Sequence, residues 1–271
     1  MNDWPIEASP RVAIAGTGQA AWALGLGFLE AGIKVTQVWS RHAGKGNALA
    51  RRLQAEHCMM PGSGDSAWEG EVLLLAIADH SIAEVSSLFK CLENQHIIHC
   101  GATISIDVLS GHLRYGVFWP VMNLSQPREN LLREVPIMVE SNNEALHKIL
   151  TNWCIALHAH SIPATLTQRT KVHLAAVMTA NFNNLLLHWG HSILKGQGSH
   201  NLLLPILQEQ LFRFAEDSSD PLTRQSGPAY RGDLETMDKH LDLLQHDPEG
   251  QALYRSMSHL IAHLRAKHGH D

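Results

Sequence analysis

Residues Arg11 to Ala15 form a short, mostly apolar run that stops at a glycine, and Gln19 to Ala31 then carries Ala20, Leu24, Phe28 and Leu29 at helical spacing. The pattern predicts a buried strand, a glycine turn and a helix. Gly32 closes that helix, and Lys34 to Trp39 reads as a second strand, which completes a βαβ unit. A helix over roughly Lys45 to Glu56 follows. The densest apolar run, Val72 to Ile77 within Glu71 to Ala78, has the length of a central strand covered on both faces, so a parallel sheet is expected. Ser81 to Leu92 reads as a helix, and His96 to Cys100, Gly116 to Trp119 and Ile137 to Glu140 read as strands. Glu144 to Trp153 is a further helix.

Past Pro163 the period changes. Thr167 to Lys195 lacks glycine until Gly190 and sets Val172, Ala175, Ala176, Phe182, Leu185, Leu186 and Trp189 on one stripe, which predicts a single long helix. Asn201 to Glu216, Asp233 to His246 and Pro248 to Lys267 predict three more, the last with Asp247 as N-cap and Pro248 at the first helical position. The expected architecture is α/β, a doubly wound sheet over residues 1–163 followed by an all-α domain over residues 164–271.

Composition narrows the chemistry. Of 271 residues, 45% are hydrophobic and 17% charged, a globular balance without the polar excess of a disordered chain. The 21 basic and 26 acidic side chains leave a formal charge of −5, so no whole-molecule field draws the protein to nucleic acid or to an anionic membrane. A small-molecule substrate is the expected partner. Cys58, Cys91, Cys100 and Cys154 are widely spaced with no CxxC pair, which suits reduced thiols in a cytoplasmic protein. Val12 to Leu29 carries no formal charge, but Gly16 to Gln19 interrupt it and its flank holds Asp3 and Glu7, so no targeting or membrane segment is read there. The 19 histidines are scattered, and the tail with His263, His268 and His270 lacks a fixed ligand spacing, so no metal is expected.

The strongest motif is Gly16-Thr17-Gly18-Gln19-Ala20-Ala21, which fits GxGxxA between a predicted strand and a predicted helix. Gly16 would permit the tight turn, Gly18 the approach of backbone to a pyrophosphate, and Ala21 the close packing of helix on strand; free N–H groups at the helix start would hold the anion. This makes the sheet domain Rossmann-type, with Gly16, Thr17, Gly18, Gln19 and Ala20 as cofactor contacts. Ser40 and Arg41 end the second strand, where an NAD site usually offers a carboxylate to the ribose. No acidic residue occurs between Glu30 and Glu56. A guanidinium can grip the extra phosphate of NADP through a charge-assisted fork, so NADP is the expected cofactor. Ala78, Asp79 and Ser81 follow the third predicted strand and Gly101 the fourth, where they would line the nicotinamide side of the crevice. Asp79 and Ser81 could equally cap the next helix.

With these features the chain resembles the superfamily of pyrroline-5-carboxylate reductase and 6-phosphogluconate-type dehydrogenases. More narrowly, it is similar to a family of NADP-dependent oxidoreductases of unassigned substrate, built from a Rossmann-like domain and a helical domain of unknown function. The marks are His173-Leu174-Ala175-Ala176 with Asn181-Phe182, and Ser226-Gly227-Pro228-Ala229-Tyr230-Arg231-Gly232-Asp233 followed by His240. The resemblance implies an inter-domain cleft with an exposed nicotinamide edge and a homodimer made by the helical domain. It names no reaction. The hydroxyacid dehydrogenases of the superfamily place a lysine four residues before the helix asparagine, and this chain has Val177 there, which puts that mechanism in doubt.

On that resemblance His173, Asn181 and Arg231 are the catalytic candidates. His173 and Asn181 are eight residues apart, a little over two α-helical turns, and would project from nearly one face. His173 could donate a proton while Asn181 fixes a substrate or nicotinamide amide. Arg231 could clamp a substrate anion, or simply pair with Asp233 acting as an N-cap. Trp119-Pro120 could wall the cofactor crevice or only pack. The expected activity is NADPH-dependent reduction of a small carbonyl or imine; the alternative is a module that senses NADPH without turnover.

Overall fold

The computed structural model describes residues 10–62, 66–195 and 198–268. His270, part of the tail singled out above, lies outside them. The chain divides into two compact units, one through Thr179 and one from Ala180 onward.

The first unit is built on one eight-stranded sheet. Its strands are β1 (Val12–Ala15), β2 (Val35–Ser40), β3 (Glu56–Met59), β4 (Val72–Leu75), β5 (His96–His99), β6 (Tyr115–Pro120), β7 (Pro136–Ser141) and β8 (His160–Pro163). The spatial order is β3-β2-β1-β4-β5-β6-β7-β8. The first six follow the doubly wound order 3-2-1-4-5-6, with the chain switching direction of travel between β1 and β4. Strands β1 to β6 are mutually parallel. The all-parallel expectation fails at β7, which runs antiparallel to β6, with β8 parallel to β7. A parallel return needs a crossover, and segment 121–135 forms only turns, so the chain comes back beside β6 in the opposite direction.

Two strands escaped the periodicity. Both β3 (EHCM) and β8 (HSIP) are outermost strands with half-exposed, polar sequences, so no apolar run marks them. Helix α2 (Ala43–Leu53) stops short of the expected Glu56 because Gln54 turns left-handed at φ 55, which frees Glu56 to start β3. The long helix expected over Ser81 to Leu92 is a 3-10 turn, Asp79–Ser81, and a five-residue α3 (Ile82–Ser86). There Ser86 and Ser87 donate their hydroxyls to Ala83 and Glu84 carbonyls and compete with helical bonding.

Alternation along the strands sorts the core into two layers. Val12, Ile14, Val72 and Leu74 face one side, with Leu24 and Phe28 of α1 (Gln19–Glu30), Leu49 and Leu53 of α2, and Leu146, Leu150 and Trp153 of α4 (Glu144–Ala156). Ala13, Ala15, Leu73 and Leu75 face the other, with Ile82 and Val85 of α3. Phe28 and Phe118 pack on Trp153 at 4.8 and 5.7 Å between ring centres, geometry that adds to the area term.

Helix α5 (Leu166–Ala176) opens with a capping box between Thr165 and Gln168. It does not continue as one α-helix to Lys195. A π-helical turn, Val177–Asn181, intervenes before α6 (Phe182–Ile193), and the division between the compact units falls inside that turn. The Thr179 hydroxyl donates to the Ala175 carbonyl at this point, an insertion into the ladder of the kind that accompanies π turns. The second unit continues with α7 (Ser199–Glu216), α8 (Pro228–Arg231), α9 (Leu234–Leu243) and α10 (Pro248–His268). Asp247 starts α10 as expected: its carboxylate accepts from Gly250 N–H at 2.8 Å, and from Trp189 Nε1 of α6 at 2.8 Å. Among the described residues no helix is long and apolar enough to cross a membrane.

Candidate functional site

Register brings the C-terminal ends of the central strands to one edge, pairing Ala15 with Leu75, Leu75 with His99 and His99 with Val117. At the switch point between β1 and β4 this edge carries a cleft of about 400 Å³. It gathers Gly16, Thr17, Gly18, Gln19, Ala20, Ser40, Arg41 and Ala78, all predicted, with His42, Met60, Ala76 and Ile77, which were not. Met60 follows the polar edge strand β3, so nothing in the sequence flagged it.

The two glycines of the turn have different physical roles. Gly16 sits at φ +123, and a Cβ there would collide with the Ala76 carbonyl, so the turn itself demands glycine. Gly18 is extended and exposed, and a Cβ on it would meet nothing within 4 Å. The fold alone does not require glycine at that position, whereas a ligand lying against the backbone would. The start of α1 fits an anion as well: it has no side-chain cap and no acidic residue in its first turn, so its leading N–H groups face the cleft without a local partner.

At the far end of the cleft, Arg41 is exposed and makes no hydrogen bond or ion pair among the described residues. Ser40 is buried, and its hydroxyl donates to the His42 carbonyl at 3.0 Å. That proton is therefore not free for a ligand.

Asp79, Ser81 and Gly101 do not line the cleft. Neither Asp79 nor Ser81 makes a side-chain capping bond, so the capping role does not hold. The Asp79 carboxylate instead lies against Gly101, 3.0 Å from where a Cβ would stand. The loop that follows β5 is held from beneath. Gly101 N–H donates to His99 Nδ1 at 3.0 Å, and His99 Nε2 lies 3.4 Å from the Ser105 carbonyl. Arg169 of α5, fully buried, donates to the Ala102 and Ile104 carbonyls at 3.4 and 2.6 Å and pairs with Glu140 of β7.

His173, one turn beyond Arg169, sits edge-on to Trp119 with 6.0 Å between ring centres. Trp119 is near the C-terminal end of β6, so this pair belongs to the same sheet edge as the glycine turn. Asn181 ends the π turn and is exposed; the α-helical spacing that set it on the face of His173 does not apply across that turn. In the second unit Arg231 is exposed, with Asp233 3.8 Å away, and Asp233 caps α9 by accepting from Thr236 N–H at 3.1 Å. His240 Nδ1 meets the Tyr254 hydroxyl at 2.8 Å.

Burial pushes both strand histidines, His96 and His99, down to about 4. Each is neutral in the folded state and ordinary, near 6.5, in the unfolded chain. Between those values the unfolded chain binds more protons, so stability falls as pH drops from 6.5 toward 4 and is insensitive to these groups above 6.5. The full loss is about 3 kcal/mol for each histidine. Urea melts at pH 7 and pH 4.5 should show a clear fall in midpoint, reduced in a His99→Phe variant; equal sensitivity to acid in parent and variant would remove His99 from this account.

Residues 11–103 match the family described as NADP oxidoreductase, coenzyme F420-dependent, and residues 135–261 match a domain of unknown function, DUF2520. The two matches lie one after the other along the chain, the oxidoreductase family over the sheet and the second domain from β7 onward. The chain is similar to a Bacteroides fragilis protein provisionally named an NADP oxidoreductase, at 27% identity and TM-score 0.82, over 96% of this chain and 100% of that one. It shares its fold with a reductive aminase from Aspergillus terreus solved with NADPH and ethyl-5-oxohexanoate, at 15% identity, TM-score 0.66 and 97% of each chain. It also shares it with a pyrroline-5-carboxylate reductase from Coxiella burnetii, at 11% identity and TM-score 0.55, over 94% of this chain and 99% of that one. No curated protein matches the sequence.

Proposed function

We propose that this chain is an NADPH-dependent reductase of a small carbonyl or imine. The observation that carries the reading is a single cleft joining the uncapped start of α1, over the open face of Gly18, to the unpartnered guanidinium of Arg41. The first can take a pyrophosphate and the second the ribose phosphate that distinguishes NADP from NAD. When bound, the nicotinamide supplies the hydride. The chain's own part is to orient and to protonate. Ala78 borders the cleft, with Gly101 on the neighbouring strand end, and His173, edge-on to Trp119 at the same sheet edge, is the proposed proton donor. Asn181 and Arg231 are the proposed substrate contacts, an exposed amide and an exposed guanidinium.

Arg41→Ala is expected to weaken NADPH by about 10-fold to 100-fold, the worth of a charged hydrogen bond, and to leave NADH almost unchanged. Fluorescence titration of both cofactors checks this, and equal loss for the two would refute the phosphate assignment. Turnover is then read as NADPH oxidation across small ketones and imines. Tight binding without oxidation of any would favour the sensor in place of the enzyme.

The reading also includes a homodimer through the helical unit and a cytoplasmic setting. Phe182, Leu185, Leu186, Phe212 and Phe214 are each 41% to 67% exposed, more large apolar surface than one chain normally leaves in water. The four cysteines are unpaired, and burial pushes Cys100 and Cys154 up to about 12, which keeps these thiols protonated. Sedimentation should find twice the chain mass of 30.0 kDa; a single-chain species at micromolar concentration would remove the dimer.

A further inference from the structure

A guanidinium discriminates between cofactors only if the turn that carries it is held in place, and the residue that holds this one comes from another strand. Ser40 Oγ lies 3.0 Å from the His42 carbonyl oxygen and 3.0 Å from His57 Nε2. A hydroxyl has one proton and a carbonyl can only accept, so the Ser40 proton goes to His42 and the hydrogen between His57 and Ser40 must sit on Nε2. The chain of donation therefore runs from His57 through Ser40 to the His42 carbonyl. The same carbonyl accepts from Gly46 N–H at 2.9 Å, so the relay also fixes the first turn of α2. Arg41 lies within the braced segment, between Ser40 and His42.

The space for this arrangement is specific. His57 sits on β3 opposite Val38 of β2, and its ring reaches Ser40 across the start of α2. Residue 46 is glycine, and a Cβ there would overlap both the His57 ring and the Ser40 hydroxyl. An edge strand, a helix start and a strand end thus meet around one imidazole.

We propose that His57 is a positioning residue for the 2′-phosphate end of the cofactor site, acting through Ser40 on the Arg41–His42 turn, a role that rests on the NADPH reading above. It touches no cofactor atom itself. The test is titration of intact protein with NADPH and NADH separately, for the parent, Arg41→Ala, His57→Phe, His57→Gln and Gly46→Ala, with a thermal melt of each as a folding control. His57→Phe is expected to lose about 10-fold in NADPH affinity, the scale of one hydrogen bond, with NADH within twofold of the parent. His57→Gln, whose amide N–H can replace Nε2–H, should recover most of the loss, and Gly46→Ala should reproduce it from the other side of the ring. If the parent prefers NADPH and Arg41→Ala abolishes that preference while His57→Phe and Gly46→Ala keep it, this role falls and the cofactor reading stands. A loss shared equally by NADPH and NADH, not restored in His57→Gln, would also overturn it. A parent that binds neither nucleotide sinks both.

Discussion

Gly18→Val is expected to weaken NADPH binding roughly 10-fold to 100-fold, the cost of forcing a side chain into a filled contact, while leaving the fold intact. The two effects separate because a Cβ at this position meets nothing in the protein itself within 4 Å, and the backbone is extended, a conformation valine adopts freely. The folding cost is limited to the weak N-cap preference for glycine, at most about 1 kcal/mol, or roughly 2–4 °C in melting temperature. Gly16→Ala offers the contrast. Its collision with the Ala76 carbonyl and its positive φ act on the turn before any ligand arrives, so stability and binding should fall together. Unchanged NADPH affinity in Gly18→Val, measured by calorimetry, would mean that no pyrophosphate lies against this turn.

The largest expected loss of stability is at Arg169. Its guanidinium is wholly buried, pairs with Glu140 and donates to the Ala102 and Ile104 carbonyls, so it ties α5, β7 and the loop after β5 together. Burial lowers its pKa, and the opposing carboxylate is what makes a charge tolerable there. Arg169→Met would strand Glu140 and two carbonyl oxygens in a site built for a cation, at about 3–5 kcal/mol. For a unit of this size that is a fall of roughly 6–20 °C in the melting of the sheet unit. Adding Glu140→Leu should return part of the loss, because the orphaned charge is then gone. A fall below about 1 kcal/mol in the single variant would show that the pair is not the clamp described.

Arg169 also shows where sequence reasoning stops. An arginine on a helix reads as solvent-facing, and nothing within a few residues distinguishes this one from Arg213, which makes an ordinary exposed pair with Glu209. His99 is similar: a histidine at a strand end gives no sign that the N–H of Gly101, two residues on, will turn back onto it. The cleft, in contrast, was largely visible, since eight of its twelve lining residues follow from a glycine turn, from a strand that ends without an acid and, for Ala78, from the end of the central apolar strand. The two glycines carried one motif but proved to answer to different masters, one to the Ala76 carbonyl and one to open space.

Local patterning along this chain was enough for the central strands, the glycine turn, the basic strand end and most helix starts, because each depends on backbone dihedrals and side-chain periodicity over a few residues. Long-range packing decided the reversed direction of β7, the two polar edge strands and the burial of Arg169 and His99. Those features depend on which distant groups supply hydrogen bonds and exclude water, and partners 29 or more positions away, as Glu140 and Ala102 are from Arg169, leave no local trace.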